Sequence, residues 1–340
     1  MTTTGAEPFQ RLAIIGAGAW GTALAIAVRR GNRITDIPLW AHEHEVAADI
    51  NARRVNEAFL PGLEIPPGVH ATADLGSAIG QADVALIAVP AQHVRAVAER
   101  CAGALRPGTI LVLCAKGIEL NSGKLMSEVL AEACPTARLA VLSGPTFAAE
   151  VAAGKPTAVT LACREGPAGA ALTATIGSAA LRPYLTDDIV GAQIGGAVKN
   201  VIAIACGIVD GRHLGDNARA ALIARGLSEM TRLGIALGGR RETLMGLSGL
   251  GDLALTCNGQ QSRNLSLGIA LGKGKTVAEA LSGRRAVVEG VDTAAAVLAL
   301  ARRQGVDMPI VAAVDSILHH GADINRTVAS LLERPFKSEE

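Results

Sequence analysis

Residues 195–211 read GGAVKNVIAIACGIVDG, and inside this apolar run Lys199 and Asn200 stand out. A helix that is apolar nearly all round belongs in a protein interior. A lysine on it either snorkels its ammonium to the surface or has a partner or a task. Desolvation and a second cation nearby lower its proton affinity, and a carboxylate raises it again. A lysine tuned in this way can exchange a proton with a substrate oxygen near neutral pH. Asp252, in GLSGLGDLALTC at 246–257, offers such a carboxylate. It follows a glycine-rich turn, so it is either a helix cap or the group that positions Lys199. Thr256, four residues on, falls on the same helical face. Residues 261–267 read QSRNLSL. Ser262, Arg263 and Asn264 there put a hydroxyl, a guanidinium and an amide at a helix start. Such a set either binds phosphate, with paired guanidinium donors and free N–H groups, or is a plain cap by Ser262.

A second group lies at the other end of the chain. Residues 11–25 read RLAIIGAGAWGTALA, an apolar run, then Gly16, Gly18 and Gly21, then helix formers. Strand, tight turn and helix in that order form a dinucleotide-binding context. Gly16 allows the turn, Gly18 lets backbone approach a pyrophosphate, and Gly21 lets helix pack on strand. The N–H groups at the helix start, near Ala19 and Trp20, face the phosphates. About 20 residues beyond the glycines, where a carboxylate meets the adenosine ribose, stand His42 and Glu43. Glu43 is either that ribose contact, which favours NAD over NADP, or a solvated residue at a helix start. Arg53 and Arg54 lie near enough in sequence to complicate the preference.

The elements that must position these residues follow from composition and order. The chain has 340 residues, 49% of them hydrophobic but only 2% aromatic, and a net charge of +1. The length suits two domains. Neutrality and the shortage of stacking rings argue against a nucleic-acid partner. The six cysteines are scattered without a CxxC pair, so neither a metal site nor a disulfide frame is expected. Five of them read as small core residues, and Cys257, beside a polar loop, is left open. No run near the N-terminus is long enough to span a membrane, and a reducing, cytoplasmic setting is the simplest expectation. Residues 1–10 read as a loose tail. Strands are expected at 12–15, 38–41, 82–89, 109–114 and 138–142, with shorter late ones at 157–162 and 181–186. Helices are expected at 20–30, 92–104 and 122–133, and 61–67 reads as a turn-rich insertion. This alternation gives an α/β, doubly wound, mainly parallel sheet. Ligands in such sheets sit beyond the carboxyl ends of the strands, where Pro90, Lys116 and Gly144 fall. From Asp188 onward only helices are expected. The boundary is placed near 187, between a dinucleotide-binding domain at 1–187 and a mainly α-helical substrate domain at 188–340.

GAGAWGTALA, IAVPAQ, CAKGIE, SGPTFAAEV, KNVIAIACGIVDG, GLGDLALTC and QSRN occur in one order. Together they closely resemble the soluble, bacterial, NAD(P)-dependent glycerol-3-phosphate dehydrogenase family, from about Arg11 to about Arg334. The resemblance implies a Rossmann-type first domain and a helical second one. It implies reversible reduction of dihydroxyacetone phosphate to sn-glycerol 3-phosphate for phospholipid synthesis. By this likeness Lys199 is the acid/base, Asp252 its charge partner, and Lys116 a contact to substrate and cofactor. Gly144 and Thr146 match the substrate-side turn. Ser262, Arg263 and Asn264 match the phosphate site, and Asn200 and Thr256 line it. On the cofactor side it implies Trp20, Ala148, Arg263, Val287 and Glu289, beside Gly16, Gly18, Ala19, Gly21, His42, Glu43 and Pro90. Many members carry Arg-Asp where this chain has His42-Glu43, which leaves NAD against NADP open. The helical domain suits a homodimer interface. The rivals are another two-domain dehydrogenase, of a hydroxyacid or ketopantoate reductase type, and a nucleotide-sensing protein without chemistry.

Overall fold

The computed structural model of the chain describes residues 7–283 and 287–334. Residues 1–6 of the expected tail lie outside the described residues. Eight strands form one sheet in the order β3-β2-β1-β4-β5-β6-β7-β8. They are β1 (Leu12–Ile15), β2 (Ile37–Trp40), β3 (Val69–Thr72), β4 (Val84–Ile87), β5 (Ile110–Leu113), β6 (Arg138–Ser143), β7 (Thr157–Cys163) and β8 (Leu181–Thr186). Side chains alternate across a strand, so each apolar run feeds two cores. Leu12 and Ile14 join one face, and Ala13 and Ile15 join the other. On the first face lie α1 (Ala19–Arg30), α2 (His44–Arg53), α6 (Ala148–Ala152) and α7 (Gly166–Ile176). On the second lie α3 (Leu75–Ile79), α4 (Val94–Ala102) and α5 (Met126–Ala133).

The N-terminal domain is the Rossmann-type fold expected, with corrections of detail. All strand pairs are parallel except β6 with β7. The two late strands are not short: β7 has 7 residues and β8 has 6, against 4 in β1. Strand β3 and helices α2, α3, α6 and α7 add to what the sequence suggested. The helix expected from 122 begins at Met126, because the preceding loop is held by other bonds. Arg95 binds Glu119 through two donors at 2.8 Å, and Gln92 binds Ile118 and Leu120. Cys257 is fully buried like the other five thiols, and so reads as a core residue.

The C-terminal domain is helical. Its axis is α8 (Ile189–Gly211), six residues longer at its start than the apolar run suggested. This helix is long and apolar enough to cross a membrane, but 94% of its most apolar window is buried inside the fold. Around it pack α9 (Asp216–Ala236), α10 (Arg241–Leu244), a π-helical turn at Leu247–Gly251, α11 (Asp252–Asn258), α12 (Arg263–Gly272) and α13 (Val277–Leu281). The chain ends in α14 (Gly290–Arg303), α15 (Pro309–His320) and α16 (Ile324–Leu332).

Glycines decide how closely α8 and α12 cross. A Cβ on Gly207 would lie 2.2 Å from the Leu265 oxygen, and one on Gly268 would lie 2.1 Å from the Ile204 oxygen. One turn further, Gly211 and Gly272 face each other in the same way. Small residues let the two backbones touch, so Lys199 and Asn200 on α8 come beside Ser262–Asn264 at the start of α12. Overpacking a tight contact costs about 1–3 kcal/mol. The Gly268→Ala variant is therefore expected to lose at least about that much stability in urea unfolding. An unchanged midpoint would contradict this account of the crossing.

Candidate active site

A cavity of about 630 Å³ runs along the carboxyl ends of the strands and up to the helical domain. Its volume suits a small-molecule or cofactor site. At the centre of the sheet is the glycine turn. The Gly16 N–H donates to Trp40 O at 3.0 Å. Gly16 has φ +118°, a conformation open to glycine. A Cβ on Gly21 would sit 1.8 Å from the Gly16 oxygen, so Gly21 serves helix–strand packing rather than lining the cavity. A Cβ on Gly18 would meet nothing within 4 Å, because that backbone faces open space. Ala19 and Trp20 line the same stretch, and the buried Trp20 Nε1 has no hydrogen-bond partner. An open glycine cradle beside an orphaned donor fits an acceptor-rich dinucleotide.

His42 and Glu43 line the end of the cavity beyond β2, and both are exposed. Glu43 stands at the N-cap of α2 but makes no side-chain cap bond. Arg53 and Arg54 lie away from this end. Arg53 pairs with Asp49, and Arg54 spends its guanidinium on the carbonyls of Ile65, Pro66 and Val69. Pro90, Lys116 and Thr146 line the middle.

The helical side carries a buried cluster of charged side chains. Lys199 is 5% exposed and Asp252 is 0% exposed, so the lysine does not snorkel. Lys199 Nζ donates to Asp252 Oδ1 at 2.5 Å and to Thr256 Oγ1 at 2.9 Å. Asp252 Oδ2 accepts Lys116 Nζ at 2.7 Å, and Lys116 also donates to the Gly144 oxygen at 3.0 Å. Thr146 Oγ1 donates to that same oxygen at 3.2 Å. Gly144 and Asp252 therefore act from behind the cavity wall. Asp252 caps nothing: Gly251 holds the N-cap, and no side-chain cap bond forms. The π turn before it delivers the carboxylate, and π turns recur at functional sites. Gly195 lets α8 approach that turn, for a Cβ there would lie 2.3 Å from the Ser248 oxygen.

Burial pushes the Lys199 amine down to about 8, helped by the Lys116 charge and opposed by Asp252. Burial raises the Glu289 carboxyl above the usual range, against the pull of Arg263, Lys116 and Lys199. Three cations thus face two carboxylates here, a balance that suits an anionic ligand.

At the start of α12, Ser262 Oγ accepts the Leu265 N–H at 3.1 Å, so the cap forms. Its O–H stays available to donate. Asn264 accepts the Gly290 N–H and donates to Asn200 Oδ1 at 2.9 Å. Arg263 donates to Val287 O at 2.8 Å. Asn200, Ser262, Arg263, Asn264 and Val287 line the cavity, as does Glu289. Ala148 does not; it packs against the core at the first turn of α6. Asn56 was not foreseen. It is 1% exposed and donates to Ala17 O and Thr22 Oγ1, both at 2.8 Å. It ties the 56–60 loop to the glycine turn and so brings Phe59 to the cavity. Arg100, His93 and Phe147 also line it. His93 and Phe147 are signalled in the sequence only by nearness to strand ends, and Arg100, on the last turn of α4, not even by that.

The chain is similar to known proteins over nearly its whole length. The family described as NAD-dependent glycerol-3-phosphate dehydrogenase matches through its N-terminal part at residues 11–168 and its C-terminal part at 188–329. Glycerol-3-phosphate dehydrogenase [NAD(P)+] of Rhodospirillum rubrum is 57% identical over 96% of this chain and 93% of its own. That of Parvibaculum lavamentivorans is 54% identical over 97% and 98%. The crystal structure of glycerol-3-phosphate dehydrogenase from Coxiella burnetii superposes with TM-score 0.92 at 40% identity, over 96% of this chain and 100% of that one. The chain belongs to the NAD-dependent glycerol-3-phosphate dehydrogenase family.

Asp252→Asn leaves the buried Lys199 ammonium and the half-buried Lys116 ammonium without their anion. Breaking a buried pair in this way costs about 3–5 kcal/mol. Urea unfolding at pH 7 is expected to show that loss, and to show less of it above pH 8, where Lys199 is neutral. A variant as stable as the wild type at pH 7 would contradict the bridging role.

Proposed function

We propose that this chain catalyses the reversible reduction of dihydroxyacetone phosphate to sn-glycerol 3-phosphate, with NADH or NADPH as coenzyme. The product would feed glycerophospholipid synthesis. The observation that carries the reading is the Lys116–Asp252–Lys199 cluster, set in the same cavity as the glycine turn. The family's activity supports it further. A hydroxyacid or ketopantoate reductase is not favoured, because relatives at 54% and 57% identity carry the glycerol-3-phosphate name.

The residues at the cavity fit the coenzyme. Gly16 and Gly18 with the start of α1 would hold its pyrophosphate, and Trp20, Pro90, Val287 and Glu289 would flank it. The coenzyme supplies a hydride when bound. Lys199 donates a proton to the ketone oxygen of the substrate and recovers it in the reverse direction. Asp252 and Thr256 fix the direction of its N–H bonds. Lys116 adds positive charge beside the oxygen that becomes negative. Ser262, Arg263, Asn264 and the Asn200 amide hold the phosphate, so binding far from the reacting carbon orients it. Gly144 and Thr146 shape the wall behind Lys116, and Ala148 supports that turn.

Three further readings belong here. We divide the chain near 187, where β8 gives way to α8. A homodimer through the helical domain is supported by the exposed apolar side chains Leu214, Ile235 and Met245. A cytoplasmic location is supported by six unpaired thiols.

Purified protein is expected to oxidise NADH or NADPH when given dihydroxyacetone phosphate, with glycerol 3-phosphate as product. Coenzyme that binds without turnover would overturn the substrate. Lys199→Ala should cost about 10²–10⁴-fold in rate, and near-normal turnover would remove Lys199 from its role. Arg263→Ala should raise KM for dihydroxyacetone phosphate while sparing unphosphorylated dihydroxyacetone. Equal losses with both substrates would contradict a phosphate contact.

A further inference from the structure

The end of the cavity between β2 and α4 holds charges that the proposed chemistry does not use. Trp40 closes β2 and is only 2% exposed. Its Nε1 donates to Ala73 O at 3.0 Å, which fixes the plane of the ring. Arg100, exposed on the last turn of α4, lays its guanidinium over that ring, with Cζ 5.3 Å from the centroid. His42 meets the same ring edge-on, at 5.9 Å between centroids. Trp40, His42, Glu43 and Arg100 all line the cavity. Among the described residues, neither Arg100 nor Glu43 is held in an ion pair.

We propose that Arg100 is the residue through which this chain binds the 2′-phosphate of NADPH, opposed by Glu43, which accepts the 2′-hydroxyl of NADH. The inference rests on the coenzyme reading above and names the residues that decide between the two coenzymes. In this fold the adenosine ribose lies beyond the end of the second strand, here at His42 and Glu43. A carboxylate there bonds a hydroxyl and repels a phosphate. A cation is needed to offset that repulsion. His42 sets its ring edge-on against Trp40, and Arg53 and Arg54 are committed elsewhere. Arg100 is the remaining arginine on this wall. Its guanidinium is always charged, binds phosphate through paired donors, and stacks on an aromatic face. The Trp40 ring holds the group at the cavity, so less side-chain freedom is lost when a phosphate arrives.

Isothermal titration calorimetry on the full chain tests this without turnover, using adenosine 2′,5′-bisphosphate and 5′-AMP as probes. Arg100→Ala is expected to weaken the bisphosphate about tenfold or more and to change 5′-AMP by less than about twofold. Arg100→Lys should fall between, because it keeps the charge but loses the paired donors. Glu43→Gln should tighten the bisphosphate. Melting temperatures equal to the wild type's would show that the exposed substitutions leave the fold intact. Equal weakening of both probes by Arg100→Ala, or no change in either, overturns the assignment while leaving the coenzyme reading standing. Wild-type protein that binds neither probe overturns both.

Discussion

Asp252 has no solvent contact and sits between two ammonium groups, at 2.5 Å from Lys199 and 2.7 Å from Lys116. A buried charge is tolerated only when it is paired and hydrogen-bonded. Much of the fold is the means of meeting that condition. Lys116 comes from the loop after β5, Lys199 from the middle of α8, and Asp252 from a π turn in the helical domain. The carboxylate thus joins both domains at the cavity. Burial lowers the proton affinity of Lys199, and because one anion answers two cations, the Lys116 charge adds to that drop against the pull of Asp252. The same imbalance leaves positive charge for a phosphate.

The close approach of helices serves the same end. Gly195 admits the π turn, and Gly207 and Gly268 admit α12. Without these contacts Asn264 could not reach Asn200 at 2.9 Å. On the sheet side, Asn56 ties a loop to the glycine turn and so gives the cavity a wall. Packing and chemistry are therefore hard to separate, since the approach of the π turn and of α12 to α8 depends on small residues.

The glycine turn, Lys199 and Asp252 were legible because each breaks a local pattern: glycines before a helix, charges inside apolar runs. The order of strands and helices was legible for the same reason, through runs such as 84–87. Strand β3 was not, since VHAT is four residues long with a histidine inside it. The antiparallel turn of β7 was hidden, because pairing direction depends on the connection and not on the strand's own residues. Arg100 and Asn56 were hidden because their roles come from tertiary contact. Arg100 stands on an ordinary amphipathic helix, and only the fold sets it over Trp40. Asp252 could be read as a cap or as a partner, and distance decided it.

The central claim is that Lys199, tuned by Asp252 and Lys116, gives the proton to the substrate. The pH dependence of kcat/KM for dihydroxyacetone phosphate reduction tests it most directly, since this quantity reports the free enzyme. Reduction needs protonated Lys199. The rate should therefore hold below pH 8 and fall about tenfold per pH unit above it, a break absent in Lys199→Ala. In Asp252→Asn the break should move to lower pH, because the raising influence is gone. A wild-type profile level from pH 7 to beyond the ordinary lysine range, or the same break in Lys199→Ala, would contradict the account.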